Sequence, residues 1–203
     1  MSSEHGWLKI YRGPMFCAKS DSLLRELRKY DIAGVSTLLI KPILDIRYSA
    51  NEVVTHDGLS KTALPIGTTY EAFMKIEEEL NSVYVIGIDE FQFFENSKEL
   101  VLKIRKLSMR KRVILASLNL NFRGEPWDIT KEIEPYADSI VTLTAICTHK
   151  DSKGKICGED ATRTQRLTPE GKPAPYNSPL VVIGGKDIYE ARCKRHHIVP
   201  PPC

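Results

Sequence analysis

The fold class predicted for this chain depends first on residues 11–20, Tyr-Arg-Gly-Pro-Met-Phe-Cys-Ala-Lys-Ser. They follow an N-terminal run in which apolar residues alternate with polar ones, which is typical of a β-strand. They lead into residues 23–30, whose leucines recur at the spacing of an amphipathic helix. The stretch is therefore predicted to be the turn of a strand, turn and helix unit.

The spacing of glycine, lysine and serine in this turn is typical of a loop that binds phosphate. Gly13 is followed by four residues and then by Ala18, Lys19 and Ser20, one methyl group away from the pattern of the P-loop. In such a loop, backbone N–H groups and the positive end of the following helix hold the phosphates. The lysine neutralises the terminal phosphates, and the serine hydroxyl ligates the Mg²⁺ of the nucleotide. A chance occurrence of these residues at a strand–helix junction is the alternative.

A second, independent signal lies at residues 83–90. Val-Tyr-Val-Ile-Gly-Ile is a continuous apolar run, as expected for a strand buried on both faces of a sheet, and it ends in Asp89 and Glu90. Asp89 is then placed to hold Mg²⁺ through water, opposite the loop. The two signals occur in the order and spacing of a nucleotide-binding protein, which favours that interpretation over coincidence.

Apolar strands and amphipathic helices alternate through the first 145 residues, which predicts an α/β fold with a parallel sheet covered by helices on both faces. Residues 119–127 form a predicted loop at the same sheet edge, and its aromatics Phe122 and Trp127 serve either binding or ordinary packing. Residues 49–69 are predicted to be a loop with one short strand. The further strands are expected at residues 35–41, 62–65, 113–118 and 139–145, and the further helices at residues 70–80 and 97–108.

Composition and charge narrow the class of protein. The chain has 203 residues, of which 42% are hydrophobic, enough for one globular domain or for one domain with a small appendage. Its 29 basic and 26 acidic residues are interspersed, so no long basic block indicates a nucleic-acid polymer as partner. The basic cluster at residues 105–112 is interpreted as a solvated helix end. Because the sequence shows neither a membrane-length apolar run nor a signal peptide, we expect a cytoplasmic protein.

Four potential metal ligands follow residue 145. Nine residues separate Cys147 from Cys157, whereas two residues separate Cys193 from His196, the spacing of a zinc knuckle. The odd count of five cysteines argues against a disulfide framework in a reducing compartment. We predict a structural Zn²⁺ bound by these four side chains, which would hold together a small domain with few apolar residues.

The long gap in the first ligand pair leaves alternatives open. The residues between the two cysteines look like an insertion, since a two-residue gap is usual. His149 and His197 are the competing ligands, and a set of isolated thiols is the alternative to any metal site.

Eight segments, taken in order, resemble the motifs of a single enzyme family. They are residues 13–20, 45–49, 55–57, 88–94, 118–127, 143–147, 163–167 and 183–193. That family is the thymidine kinases of cellular type, also called type II. The resemblance covers nearly the whole chain, and the motifs together are far more specific than any one of them.

The resemblance implies a P-loop domain related to the RecA-like core at residues 1–145 and a zinc-binding domain at residues 146–203. A lasso-shaped loop of the second domain is expected to close over the nucleoside. The implied reaction transfers the terminal phosphate of ATP to the 5'-hydroxyl of thymidine or deoxyuridine, with feedback inhibition by thymidine triphosphate. The family is usually homotetrameric, and neither a nucleic-acid polymer nor a membrane is implied as a partner.

The resemblance also implies roles for individual residues. Glu90 is the general base, Asp45 and Arg47 belong near the phosphates and Mg²⁺, and Ser20 and Asp89 hold the Mg²⁺. The other predicted ATP-binding residues are Gly13, Pro14, Met15, Phe16, Cys17, Ala18, Lys19 and Gln92. The predicted substrate-binding residues are Phe93, Leu118, Phe122, Trp127, Thr164, Val182, Ile183, Gly184 and Tyr189.

Two residues of the loop depart from the family pattern. Ala18 stands where glycine is usual, and if this position needs a positive φ, alanine costs on the order of 1 kcal/mol or more. Cys17 stands where serine is common and is predicted to be a reactive thiolate, because it lies near a helix N-terminus and Lys19. A small apolar filler is the alternative for Cys17. The alternatives to an active kinase are a kinase-like protein without efficient transfer and, more remotely, a nucleic-acid-binding zinc ribbon.

Overall fold

The structure is a computed structural model that describes residues 5–44, 52–54 and 60–201. The strands of this part are β1 (Trp7–Gly13), β2 (Thr37–Pro42), β3 (Glu52–Val54), β4 (Ser60–Thr62), β5 (Leu64–Ile66), β6 (Val85–Ile88), β7 (Arg112–Leu118), β8 (Ser139–Thr142), β9 (Ala145–Ile146), β10 (Asp160–Ala161), β11 (Arg163–Arg166) and β12 (Tyr189–Arg192). Six of them form the central sheet in the order β5-β2-β6-β7-β1-β8, and each neighbouring pair is parallel. The predicted α/β fold with a parallel sheet is confirmed.

Helices cover both faces of this sheet. They are α1 (Lys19–Ile32), α2 (Tyr70–Met74), α3 (Glu77–Ser82), α4 (Lys98–Ser108) and α5 (Asp128–Ile133). Leu23 and Leu27 of α1 belong to the apolar core on one face, and Leu100 and Ile104 of α4 to the larger core on the other. Burial from both sides explains why β6 reads as a continuous apolar run. Over the described part of the chain, none of the helices is long and apolar enough to cross a membrane.

The helix predicted at residues 70–80 is in fact two helices. The first ends at Met74, and Ile76, with φ −104° and ψ 26°, leaves the helical conformation before α3 begins. Glu77, Glu78 and Glu79 lie in the first turn of α3, where carboxylates complement the partial positive charge of a helix N-terminus. These carboxylates stabilise the N-terminus of α3, although the apolar spacing of the sequence continues across the interruption at Ile76.

The strand predicted at residues 139–145 ends earlier than expected. β8 stops at Thr142, and β9 pairs instead with β10 in a separate two-stranded antiparallel sheet. The Thr144 hydroxyl donates a 3.0 Å hydrogen bond to Asp160 Oδ1 and ties the chain to this second sheet. The single strand predicted at residues 62–65 is likewise divided between β4, which pairs with β3, and β5, which joins the central sheet.

The carboxyl ends of the inner strands place the connecting loops side by side. Gly13 at the end of β1 lies beside Leu118 at the end of β7. Ile88 at the end of β6 lies between Ile40 of β2 and Leu115 of β7. The loops after these four strands therefore leave the same edge, where open parallel sheets bind ligands.

Candidate active site

The loop between β1 and α1 is a strained turn. Phe16 and Ala18 have positive φ, of 67° and 60°. Ala18 is the residue before α1, and its ψ of 36° places it in the left-handed region, where an L-residue costs about 1–2 kcal/mol. Position 18 therefore requires a positive φ, and the alanine there is strained. Gly13 allows a close approach of the backbone, because a Cβ would lie 2.4 Å from the Leu143 carbonyl oxygen.

The turn brings the N-terminus of α1 to the sheet edge, together with Lys19 and Ser20. Lys19 Nζ donates a 2.6 Å hydrogen bond to the Pro14 carbonyl, and so lies over the loop. The Ser20 hydroxyl donates to Asp89 Oδ1 at 3.0 Å. Asp89 is buried, and the same oxygen accepts the Glu90 N–H at 2.9 Å. A hydroxyl and a carboxylate are oxygen ligands of the kind that Mg²⁺ prefers, and the helix N-terminus beside them suits phosphate.

Glu90 also has an unusual backbone conformation, with φ 47° and ψ 41°. Its Oε2 accepts a hydrogen bond from Gln92 Nε2, and Gln92 Oε1 accepts the Leu118 N–H at 2.9 Å. These two hydrogen bonds occupy the Gln92 amide and connect Glu90 to β7. Gln92 is also buried and lies outside the cavity lining. This differs from the predicted contact of Gln92 with phosphate. Left-handed non-glycine residues of this kind concentrate at functional sites.

One cavity at the sheet edge brings most of the predicted site residues together. Those lining it are Met15, Phe16, Ala18, Lys19, Ser20, Asp89, Glu90, Phe93, Leu118, Phe122, Trp127, Thr164, Val182, Ile183, Gly184 and Tyr189. Gly13, Pro14 and Cys17 belong to the loop but lie outside the lining. Asp45 and Arg47 fall outside the described residues, as does the segment at residues 55–57.

Aromatic rings and a mainly apolar segment form part of the cavity wall. The rings of Phe93 and Trp127 meet edge to face, with centroids 5.8 Å apart. Residues 180–186, here called the covering segment, line the cavity, and the first four of them have exposed apolar side chains. The Tyr189 hydroxyl donates to the Val182 carbonyl of this segment at 2.7 Å. The wall of the cavity thus combines the loop between β1 and α1, here called the phosphate-type loop, with a group of apolar and aromatic side chains, here called the aromatic pocket.

The N-terminal and C-terminal parts of the described chain are joined at this cavity. The Met15 N–H donates a 3.0 Å hydrogen bond to the Thr164 hydroxyl, 149 residues away. This bond ties the loop to β11, which pairs with β12. The covering segment is therefore anchored next to the loop.

The cavity also contains residues that the sequence analysis missed. Lys41 is a buried lysine near the end of β2, and its Nζ donates to the Glu52 carbonyl at 2.9 Å. The sequence could have indicated this lysine, because it is a charged residue at the end of an apolar strand, just before Pro42. The other missed lining residues are Asp21, Glu52, Val53, Leu120, Asn121, Leu180, Val181, Gly185 and Lys186.

The prediction of a reactive thiolate at Cys17 is wrong. The side chain is 5% exposed and packs in an apolar cluster with Ala145 and Cys147. Burial raises the pKa of the Cys17 thiol, and Lys19, whose Nζ lies 3.8 Å from Sγ, only partly opposes this. Desolvation of the thiolate outweighs the nearby positive charge. Cys17 therefore acts as the small apolar filler that was the alternative.

The four predicted metal ligands converge on one point. The ligand atoms of Cys147, Cys157, Cys193 and His196 all lie within 4.8 Å of one another. His196 Nδ1 is 3.6 Å from Cys147 Sγ and 3.5 Å from Cys193 Sγ. Bonds of about 2.3 Å to sulfur and 2.0 Å to nitrogen in a tetrahedron place ligand atoms at similar separations. Three thiols and an imidazole at this spacing fit a structural Zn²⁺.

The nine-residue gap folds back on itself. The Asp151 N–H donates to the Lys155 carbonyl at 3.0 Å, and the Cys157 N–H donates to the His149 carbonyl at 2.8 Å. These bonds close a hairpin that returns Cys157 to Cys147. His149 contributes no atom to the four-atom cluster; its ring instead lies against the ring of the cluster histidine, with centroids 4.0 Å apart.

The fold and the site define a class of protein. The strand–loop–helix unit of β1 and α1 presents a helix N-terminus, a lysine and a serine. A carboxylate faces them from the end of β6, which is separated from β1 in the sheet by β7. This is the arrangement of a P-loop nucleotide-binding protein. The adjoining aromatic pocket provides room for a second, less polar group.

Comparison with known proteins identifies the family. The family model described as thymidine kinase matches residues 6–197. The chain is similar to thymidine kinases of Thermococcus kodakarensis, Pyrobaculum aerophilum and Coprothermobacter proteolyticus, with identities of 45%, 41% and 44%. The alignments cover 96%, 96% and 98% of this chain, and 95%, 100% and 93% of the relatives. The chain belongs to the thymidine kinase family.

Proposed function

We propose that this protein transfers the terminal phosphate of ATP to the 5'-hydroxyl of thymidine, or of deoxyuridine, and releases the nucleoside monophosphate. The observation that carries the proposal is the placement of Lys19 and Glu90 on the wall of one cavity. This cavity joins the phosphate-type loop to the aromatic pocket in a chain that belongs to the thymidine kinase family. A donor phosphate and an acceptor hydroxyl can therefore occupy the same enclosed space, as in-line transfer requires.

Glu90 is the general base of the proposed reaction. Its carboxylate takes the proton of the 5'-hydroxyl as that oxygen bonds to the phosphorus, and the bond from the phosphorus to the oxygen shared with ADP breaks. Lys19 and the N–H groups at the start of α1 stabilise the charge on the transferred phosphate. Ser20 and Asp89 would hold Mg²⁺, which would supply neutralisation of the phosphate charge. Gly13, Pro14, Met15, Phe16, Cys17 and Ala18 supply the rest of the loop.

The nucleoside occupies the apolar end of the cavity. Phe93, Phe122 and Trp127 provide ring surfaces for the base, since aromatic side chains stack on or meet its edges at low entropic cost. Thr164 and Tyr189 lie where the covering segment meets the cavity and contact the base and sugar. Leu118, Val182, Ile183 and Gly184 complete this pocket. Asp45 and Arg47 are assigned to the phosphates and Mg²⁺ from the family resemblance alone.

The wider organisation follows the same family pattern. Residues 1–145 form the nucleotide-binding domain and residues 146–203 the zinc-binding domain, where one Zn²⁺ bound by the four-atom cluster stabilises a segment with few large apolar side chains in its core. A cytoplasmic homotetramer is the proposed working form.

The direct test is an assay of ATP-dependent thymidine phosphorylation by the purified protein. Formation of thymidine monophosphate and ADP in equal amounts is the expected result. A protein that binds ADP with Mg²⁺ but forms no nucleoside monophosphate would instead be the non-catalytic nucleotide-binding protein. Parallel assays with deoxyuridine and deoxycytidine define the nucleoside, and deoxycytidine as the better substrate would contradict the proposal.

A further inference from the structure

Phe122, on the wall of the proposed nucleoside pocket, is held from behind by the C-terminal part of the chain. The Arg166 guanidinium carbon lies 3.6 Å from the centroid of the Phe122 ring. Phe122 lines the cavity, whereas Arg166 is 3% exposed and lies outside the lining. The aromatic ring therefore separates the guanidinium from the cavity.

The charge of Arg166 has few other partners. Its Nη1 and Nη2 are buried and make no hydrogen bond within the described residues. A buried cation without hydrogen bonds is costly, and its attraction to an aromatic face is strongest where water is excluded. A methionine or leucine would fill this space without that cost. Stacking on the Phe122 ring offsets part of that cost.

A neighbouring arginine makes a useful contrast. Arg123 also approaches Phe122, but its guanidinium carbon is 5.4 Å from the ring centroid. It lies closer to the Tyr176 ring, at 4.6 Å, and donates to the Ser178 carbonyl at 3.1 Å. Arg166 is thus the cation that covers the Phe122 ring closely.

The backbone of Phe122 is held by the same part of the chain. His197 Nε2 lies 2.9 Å from the Phe122 carbonyl oxygen. The chain neighbours of Arg166 and His197 are joined to each other: the Gln165 side-chain amide donates to the Ile198 carbonyl and accepts the Ile198 N–H, both at 2.8 Å. Ring and carbonyl are therefore fixed by one hydrogen-bonded unit of β11 and residues 197–198, next to the metal cluster.

We propose that Arg166 is a positioning residue for the nucleoside: stacked on Phe122 and supported by His197, it fixes the ring that forms the pocket wall. This inference rests on the proposed function, since it assigns the nucleoside to the Phe122 side of the cavity. The phosphate-type loop does not contact Arg166 among the described interactions, so loss of the guanidinium weakens nucleoside binding selectively. Lysine also makes cation–π contacts and replaces arginine in part.

The test compares Arg166→Met, Arg166→Lys and a matched control, Arg192→Met. Arg192 is on the adjacent strand, pairs with Glu190, and stacks on no ring within the described residues. For Arg166→Met we expect the KM for thymidine to rise about tenfold, equivalent to about 1.4 kcal/mol. The kcat, the Kd for ADP with Mg²⁺ and the zinc content should change less than about twofold, and Arg166→Lys should recover most of the affinity.

Hydrogen exchange of the peptide at residues 119–127 gives a readout that needs no substrate. The Asn121 N–H, for example, donates to the Glu125 carbonyl at 2.8 Å. Such amides should exchange faster in Arg166→Met than in wild type, and at the wild-type rate in Arg192→Met. An unaltered KM and unaltered exchange in Arg166→Met overturn the inference. Equal effects in both methionine variants, or joint loss of zinc and ADP binding, assign Arg166 a merely structural role. If the wild type fails to bind thymidine, the proposed function is wrong. The exchange result alone then shows whether Arg166 fixes the Phe122 loop.

Discussion

The hydroxyl of Ser20 donates a 3.0 Å hydrogen bond to Asp89 Oδ1, and this bond joins the first turn of α1 to the end of β6. Lys19 and Glu90 are the chain neighbours of these two residues, so the bond also sets the distance between the phosphate-type loop and the proposed base. It is made between segments 69 residues apart. The bond therefore connects the two parts of the cavity wall that carry Lys19 and the proposed base.

Glu90→Gln should lower kcat for thymidine phosphorylation by about a hundredfold or more, because the amide cannot accept the proton. Binding of ADP with Mg²⁺, measured by calorimetry, should stay within about twofold of wild type, since shape and hydrogen bonding are kept. Glu95→Gln is the matched control: this exposed residue accepts the Tyr70 N–H outside the cavity, so its activity should be normal. Retention of more than about a tenth of wild-type turnover by Glu90→Gln would refute the general-base role.

Ala18→Gly should stabilise the protein, because glycine removes the cost of a Cβ at φ 60°. A gain of about 1 kcal/mol corresponds to a rise of about 2–4 °C in Tm for a chain of this size. Ala33→Gly, at an exposed helix end with φ −78°, is the control and should leave Tm unchanged or lower it. We also expect a moderate rise in kcat for Ala18→Gly. Equal Tm values for Ala18→Gly and wild type would show that the surroundings have absorbed the strain.

The purified protein should contain one Zn²⁺ per chain, measured by elemental analysis. Cys157→Ser should lose the metal, whereas His149→Ala should keep it, because only the cysteine belongs to the four-atom cluster. Loss of zinc should first increase proteolytic cleavage at residues 180–186, since metal binding and folding of such a small unit are coupled. Zinc retained by Cys157→Ser and lost by His149→Ala would reverse the ligand assignment.

Cys17 should react slowly with iodoacetamide near neutral pH, with or without ATP and Mg²⁺. Burial raises the pKa of its thiol, so the reactive thiolate becomes abundant only at a pH above the ordinary thiol range. The modified sites can be measured by mass spectrometry in wild type and in Cys17→Ser, which should lose activity at the same rate. Fast alkylation of Cys17 that ATP suppresses would restore the interpretation as a reactive thiolate.

Local patterns in the sequence were sufficient for much of the fold and part of the site. Continuous apolar runs identified the buried strands. The helix predicted at residues 97–108 agrees with α4, whose N-terminus is capped by the Ser97 hydroxyl, which accepts the Leu100 N–H at 3.1 Å. The loop at residues 13–20 and the acids after β6 were recognisable because phosphate binding needs these residue types at short, specified spacings. The break before α3 was missed because the apolar period continues across it.

The sequence by itself determined most of the buried strands of the central sheet, the loop residues and the four candidate metal ligands, because each depends on short-range periodicity or residue type. Only the tertiary structure decided that Cys17 is desolvated, that Gln92 is occupied by Glu90 and Leu118, and that Arg166 stacks on Phe122. These properties depend on which groups exclude water from one another, and their partners lie on separate elements of the chain. Spacing along a sequence carries no information about such desolvation, because the free energy of a buried polar group is set by the neighbours that folding brings to it.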